Sequence, residues 1–142
     1  GGAGPARSHV SRPYWVLDTG ALLAYVQGVP AAGEVLVEVS VADGTVAVPS
    51  TCLLEAYCLL DPSEHELLRM LRRNPAVRTI APALDLNHDD EAPTIGSMGR
   101  HTGRLGAAHT AWVAMINQAG VITAQPDQIR VVLGDGWEIL QV

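Results

Sequence analysis

The chain has 142 residues, long enough for one domain with a buried core; 48% are apolar and 17% charged, which excludes intrinsic disorder. The net charge of −6 leaves no basic footprint for nucleic acid, and all nine cationic side chains are arginines. No apolar run approaches the ~20 residues of a membrane span, so the expectation is a cytoplasmic protein with no membrane contact. Residues 1–9, Gly/Pro-rich from Gly1 to Pro5, are expected to be a flexible N-terminus or an expression remnant, and 10–142 a single domain.

Val10 to Asp18 reads as a first strand, rich in Tyr, Trp, Val and Leu, followed by a helix from Thr19 to about Val26 with Thr19 or Asp18 as its cap. Pro30 opens a second helix through Val41, closed by a turn at Asp43-Gly44. Thr45 to Val48 reads as a short buried strand. A helix to Leu60 then starts at Pro49-Ser50-Thr51, with Ser50 as the expected cap. The pattern restarts after Asp61-Pro62, where Ser63 and Glu66 match a capping box, and runs to about Arg73.

Val77 to Ile80 reads as a third strand. The segment from Asp85 to Arg104 is polar and Gly-rich, with one helix expected near Ala92 to Met98. Leu105 to Gln118 is a strong helix, Val121 to Thr123 a fourth strand, and Pro126 to Val132 a short helix. Trp137 to Leu140 reads as a last strand. Strands alternating with helices predict an α/β fold with a mostly parallel sheet covered on both faces.

Two acids stand out. Asp18 closes an apolar strand, where open α/β sheets build their sites, and Glu55 interrupts the apolar run Cys52 to Leu60. Charges in such company need a partner or a metal. Cys52 and Cys58 read as reduced core residues, since no CxxC pair suggests zinc. Arg69, Arg72 and Arg73 read as a solvated helical face. His109 reads as a packed or hydrogen-bonded residue, and His88 and His101 have no metal spacing.

Four places, in order, resemble the PIN domain of VapC-type toxin ribonucleases. Val16-Leu17-Asp18-Thr19-Gly20-Ala21-Leu22-Leu23-Ala24-Tyr25 is similar to the family opening, in which a strand ends in the first metal-binding Asp. Val48-Pro49-Ser50-Thr51-Cys52-Leu53-Leu54-Glu55-Ala56 is similar to the second motif, a proline leading into a helix with an acid. Arg104 to Trp112 resembles the helix that opens with the third acid. Gly120 to Asp127 resembles the closing Val-Val-Thr-x-Asp strand.

The resemblance implies a three-layer α/β/α fold with a central, mostly parallel sheet of four to five strands. It also implies cleavage of single-stranded RNA with Mg²⁺ or Mn²⁺, an antitoxin-like partner and a homodimer. Asp18 and Glu55 match the first two acids, as catalytic and metal-binding residues, and Thr19 and Thr123 match hydroxyl positions. Arg104 and Gln125 stand where the third and fourth acids are expected. Asp127, or Asp89 and Asp90, could compensate; the plainer reading makes Asp127 a helix cap and Asp89-Asp90-Glu91 a solvated loop.

Two unit charges 4 Å apart interact by about 4 kcal/mol at an effective dielectric near 20, so crowded carboxylates need a cation. Removing two of four acids lowers both that repulsion and the affinity for metal. A cation at a helix N-terminus is disfavoured by roughly 0.3–1 kcal/mol. Arg104 fits there if Asp18 and Glu55 accept its guanidinium fork, giving an internal salt bridge in place of the metal.

The expectation is therefore a VapC-like endoribonuclease with a degenerate site, weak or inactive and possessing a metal only if active. The alternative is a non-catalytic module that binds a protein or RNA. Asp18-Thr19-Gly20 also copies an aspartic-protease signature, but that fold is nearly all β. An Asp-x-Asp-x-Thr phosphatase is excluded because Gly20 takes the second acid position.

Overall fold

The computed structural model describes residues 12–142. The expectations for residues 1–9, and for a strand beginning at Val10, fall outside or at the edge of that range. In chain order the elements are β1 (Trp15–Leu17), α1 (Thr19–Val26), α2 (Pro30–Val41), β2 (Val46–Pro49), α3 (Ser50–Leu59), a 3₁₀ turn (Pro62–Glu64) and α4 (His65–Arg73). There follow β3 (Val77–Ile80), α5 (Ala92–Thr102), α6 (Leu105–Asn117), β4 (Gly120–Thr123), α7 (Pro126–Leu133) and β5 (Ile139–Gln141).

The five strands form one sheet in the order β3-β2-β1-β4-β5, and every pairing is parallel. All four residues of β2 and all four of β4 are buried, as expected for strands covered on both faces. Leu17, Val46, Val48 and Ile122 join α1, α2, α3 and α4 in one core. Val16, Ala47 and Val121 pack against Ala107, Val113 and Ala114 of α6 and Ile129 of α7 in the other. The period-two alternation along the strands thus separates the two helical layers, giving the α/β/α sandwich expected. A nearly all-β protease fold is incompatible with this architecture.

Several local details differ from the sequence reading. β1 begins at Trp15, five residues later than expected. Pro49, not Ser50, occupies the N-cap of α3, with no side-chain cap bond. The capping interaction before α4 lies two residues early: Glu64 Oε1 accepts the Asp61 N–H at 3.1 Å, because Pro62 sets the first turn. Glu66 instead pairs with Arg69 at 3.2 Å and Arg73 at 3.8 Å. α5 continues four residues past Met98 and stops at Gly103, whose φ of +82° suits glycine. Cys52 is buried as expected, but Cys58 is exposed on the opposite side of α3.

Among the described residues no single helix is long and apolar enough to cross a membrane. α1 and α2 reach that length only together, with a 100° bend between them.

Candidate functional site

The functional side chains gather at the carboxyl edge of β1, β2 and β4. Asp18 leaves β1 with extended backbone and caps α1, its Oδ1 accepting the Ala21 N–H at 3.0 Å. The Thr123 hydroxyl, at the end of the adjacent β4, donates to the same carboxylate. Thr123 Oγ1 also accepts the Gln125 N–H at 2.9 Å. Burial leaves Asp18 3% exposed and pushes its pKa above the ordinary carboxylate value; the Thr123 and Ala21 hydrogen bonds and the Arg104 charge oppose that shift without cancelling it.

Gly20 allows this close approach. A Cβ there would lie 2.7 Å from the Ala124 Cβ, so α1 could not start so near the loop after β4.

Glu55 reaches the same place from the second turn of α3. Its Oε1 accepts the Thr19 hydroxyl at 2.6 Å and lies 3.8 Å from Nη2 of Arg104. The carboxylate rests against Gly106: a Cβ at that position would stand 2.8 Å from Glu55 Cδ. Arg104 projects from the N-cap of α6. Its extended backbone (φ −146°, ψ 139°) is fixed through its carbonyl oxygen, which accepts the Thr102 hydroxyl at 2.9 Å and the Ala108 N–H at 3.0 Å. Arg104 Nε is buried and has no hydrogen-bond partner among the described residues.

Asp18, Thr19, Arg104 and Gln125 line a cavity of about 210 Å³, with Leu23 and Leu59 on its apolar side. A larger open groove of about 850 Å³ runs along α2 past Tyr25 and Val37 and contains none of these groups.

No family model matches the sequence. No curated protein matches it. Solved structures do: VapBC2 from Rickettsia felis, crystallised bound to a DNA fragment from their promoter, has a TM-score of 0.62 at 11% identity, covering 90% of this chain and 98% of that one. PAE2754 from Pyrobaculum aerophilum has a TM-score of 0.57 at 12% identity, covering 89% of this chain and 83% of that one. The fold is PIN-like.

The PIN-like sheet edge brings together Asp18, Thr19, Glu55, Arg104, Thr123 and Gln125, and leaves the other named acids aside. Asp127 is exposed in the first turn of α7 and makes no side-chain cap bond, so the helix-cap expectation for it does not hold. Asp90 Oδ1 caps the Ala92 N–H at 3.1 Å, and exposed Asp89 takes a left-handed φ of +48°. Among the described residues no three His, Cys, Asp or Glu side chains converge as a metal-holding group.

The expected guanidinium fork is also corrected. Arg104 pairs with Glu55 alone, at 3.8 Å, and acts on Asp18 through its charge. Asp18 is already engaged by a backbone amide and a hydroxyl, which leaves no bidentate arrangement.

Sequence reasoning missed Thr102, which orients Arg104, and Gly106, which makes room for Glu55. It also missed the role of Cys52, whose Sγ donates to the Gly106 carbonyl at 3.2 Å and lies 3.1 Å from Thr110 Oγ1. Burial chiefly, with the nearby Asp18 and Glu55 charges, pushes that thiol up to about 11, so it stays protonated and inert. The available signal was the set of small residues Gly106, Ala107, Ala108, Thr110 and Ala111, which lets α6 lie close to α3. His109 is buried, with Nδ1 3.0 Å from Thr51 Oγ1, and is packed as expected.

Proposed function

We propose that this chain is a PIN-like module, akin to VapC toxin endoribonucleases, whose metal centre is degenerate, so that divalent-metal-dependent cleavage of single-stranded RNA is weak or absent. One observation carries the reading: the Arg104 guanidinium stands 3.8 Å from Glu55 where the resemblance expects a third carboxylate. Mg²⁺ and Mn²⁺ are hard cations that take shells of oxygen donors, usually including carboxylates and water. This cavity is lined by one carboxylate, Asp18, buried and capping a helix, and by the Arg104 cation, whose Nη2 lies 3.8 Å from the second acid, Glu55. That donor set does not fit a divalent ion.

The second reading is a non-catalytic module that binds an antitoxin-like protein or RNA. Exposed apolar residues beside the site favour the protein: Leu59 lines the cavity, and Leu54 and Leu105 flank Glu55 and Arg104 in sequence. One solved structure of this fold is VapBC2 bound to promoter DNA, which supports an antitoxin-like partner.

The test is incubation of the purified protein with mixed single-stranded RNAs, in Mg²⁺, Mn²⁺ or chelator, beside an Asp18→Asn control. The expected result is no cutting above the chelator lane. Metal-dependent cutting that disappears in Asp18→Asn would refute the reading and establish a nuclease.

A further inference from the structure

We propose that Asp135-Gly136 is a site of spontaneous isoaspartate formation, and that the fold shields Asp43-Gly44, where the same dipeptide recurs. Asp-Gly is prone to this rearrangement because glycine has no side chain to hinder attack by its own amide nitrogen on the preceding carboxyl group. Two requirements then fall to the structure. The glycine nitrogen must be free, and the backbone around it must be able to turn.

The two dipeptides meet these requirements differently. Asp43-Gly44 closes α2: the Gly44 N–H donates to the Val39 carbonyl at 2.8 Å, and the Asp43 N–H to the Ser40 carbonyl at 3.1 Å. Gly44 is buried, and the Tyr14 ring lies against it, with Cε2 2.6 Å from where a Cβ would stand. Attack by the Gly44 nitrogen requires that hydrogen bond to break and that packing to open, which confines the reaction to a locally unfolded state.

Gly134, Asp135 and Gly136, in the turn between α7 and β5, are all exposed. A long bond of 3.4 Å, from the Trp137 N–H to the Gly134 carbonyl, closes this turn, and the Gly136 N–H has no partner among the described residues. A Cβ built on Gly136 would meet nothing within 4 Å, so no packing holds that residue in place.

In the reaction the Gly136 nitrogen attacks Cγ of the protonated Asp135 carboxyl group. A C–N bond forms, and the Cγ hydroxyl leaves with the amide proton as water. Water then reopens the cyclic imide. Addition at Cγ restores aspartate. Addition at the Asp135 backbone carbonyl leaves the chain running through the side chain, one carbon longer, with a free α-carboxylate. The consequence falls on β5, because the next two residues tie that strand to the fold. Trp137 Nε1 donates to the Ala119 carbonyl at 2.7 Å, and the Glu138 carbonyl accepts the Val121 N–H at 3.0 Å. An extra backbone carbon just before them loosens this edge strand.

The experiment ages the full chain at neutral pH and physiological temperature, folded or in urea. Isoaspartate is counted by methyl transfer from S-adenosylmethionine with an isoaspartyl methyltransferase. It is located by peptide mapping with a protease that cuts before aspartate but not before isoaspartate. Folded wild type is expected to carry at least about tenfold more isoaspartate at 135 than at 43, while the unfolded chain forms it at both. Gly136→Ala should suppress the product at 135 and leave the melting temperature unchanged, since the added methyl meets no atom. The isoaspartate fraction, separated by ion exchange, should exchange the Val121 amide faster than the unmodified fraction.

Folded protein with no isoaspartate at 135, or with as much at 43 as at 135, would overturn the proposal. So would equal Val121 exchange in the two fractions.

Discussion

Gly106→Ala offers a sharp check on the geometry of the site, because two opposing effects act at one atom. Gly106 is the second residue of α6, where Ala is intrinsically better by up to about 1 kcal/mol. The added Cβ would overlap the Glu55 carboxylate, with Cδ at 2.8 Å, and only side-chain movement can relieve it. Moving Glu55 forfeits the 2.6 Å bond from Thr19, a hydrogen bond to a charged group worth about 1.5–3 kcal/mol. The partly exposed pair with Arg104 adds at most about 1 kcal/mol.

The expected net effect is a loss of about 0.5–4 kcal/mol. In a Glu55→Ala background the obstruction is gone, and the same Gly106→Ala change should be neutral or stabilise by up to about 1 kcal/mol. Urea unfolding of the four proteins, followed by tryptophan fluorescence, closes the cycle. A coupling below about 0.5 kcal/mol would mean that Glu55 does not rest on α6, and the assembled site would be wrong.

Three further outcomes are expected. Gly20→Ala should cost about 1–3 kcal/mol in urea unfolding, since its Cβ would meet Ala124 Cβ at 2.7 Å and the Ala124 amide nitrogen at 3.1 Å; an unchanged midpoint would count against the α1–β4 contact. Burial holds the His109 pKa below its ordinary 6.5, so the stability that depends on the neutral ring is full above pH 6.5 and is lost as pH falls below it. Between pH 8 and pH 5 wild type should therefore lose more stability than His109→Gln, and parallel profiles would refute this. Glu91 accepts the Ala83 N–H at 2.7 Å and the Trp112 indole N–H, so Glu91→Ala should cost about 1–3 kcal/mol and speed amide exchange at Ala83. Unaltered exchange there would show that the 83–91 loop is held by something else.

The order and type of the elements were legible in the sequence because local chemistry decides them. Apolar patterns and prolines at helix starts placed five strands and the main helices with ends at most five residues off, and Asp18 and Glu55 were picked out as charges in apolar company. Caps were less legible: Ser50 and Ser63 have the right chemistry, but Pro49 and Pro62 set the backbone angles that decide which residue occupies the cap. Cys58 was misread because α3 has apolar residues on more than one side, and only packing against α6 and the sheet selects the buried one.

By itself, then, the sequence determined the alternating α/β plan and which side chains carry unusual charge, since both depend on neighbours within a few residues. Tertiary structure alone decided how those charges meet. The Asp18 oxygens are occupied by Ala21 and Thr123, and α6 sets Arg104 within 3.8 Å of Glu55 alone. Those relations depend on the register of β1 against β4 and the approach of α6 to α3, which no local pattern encodes.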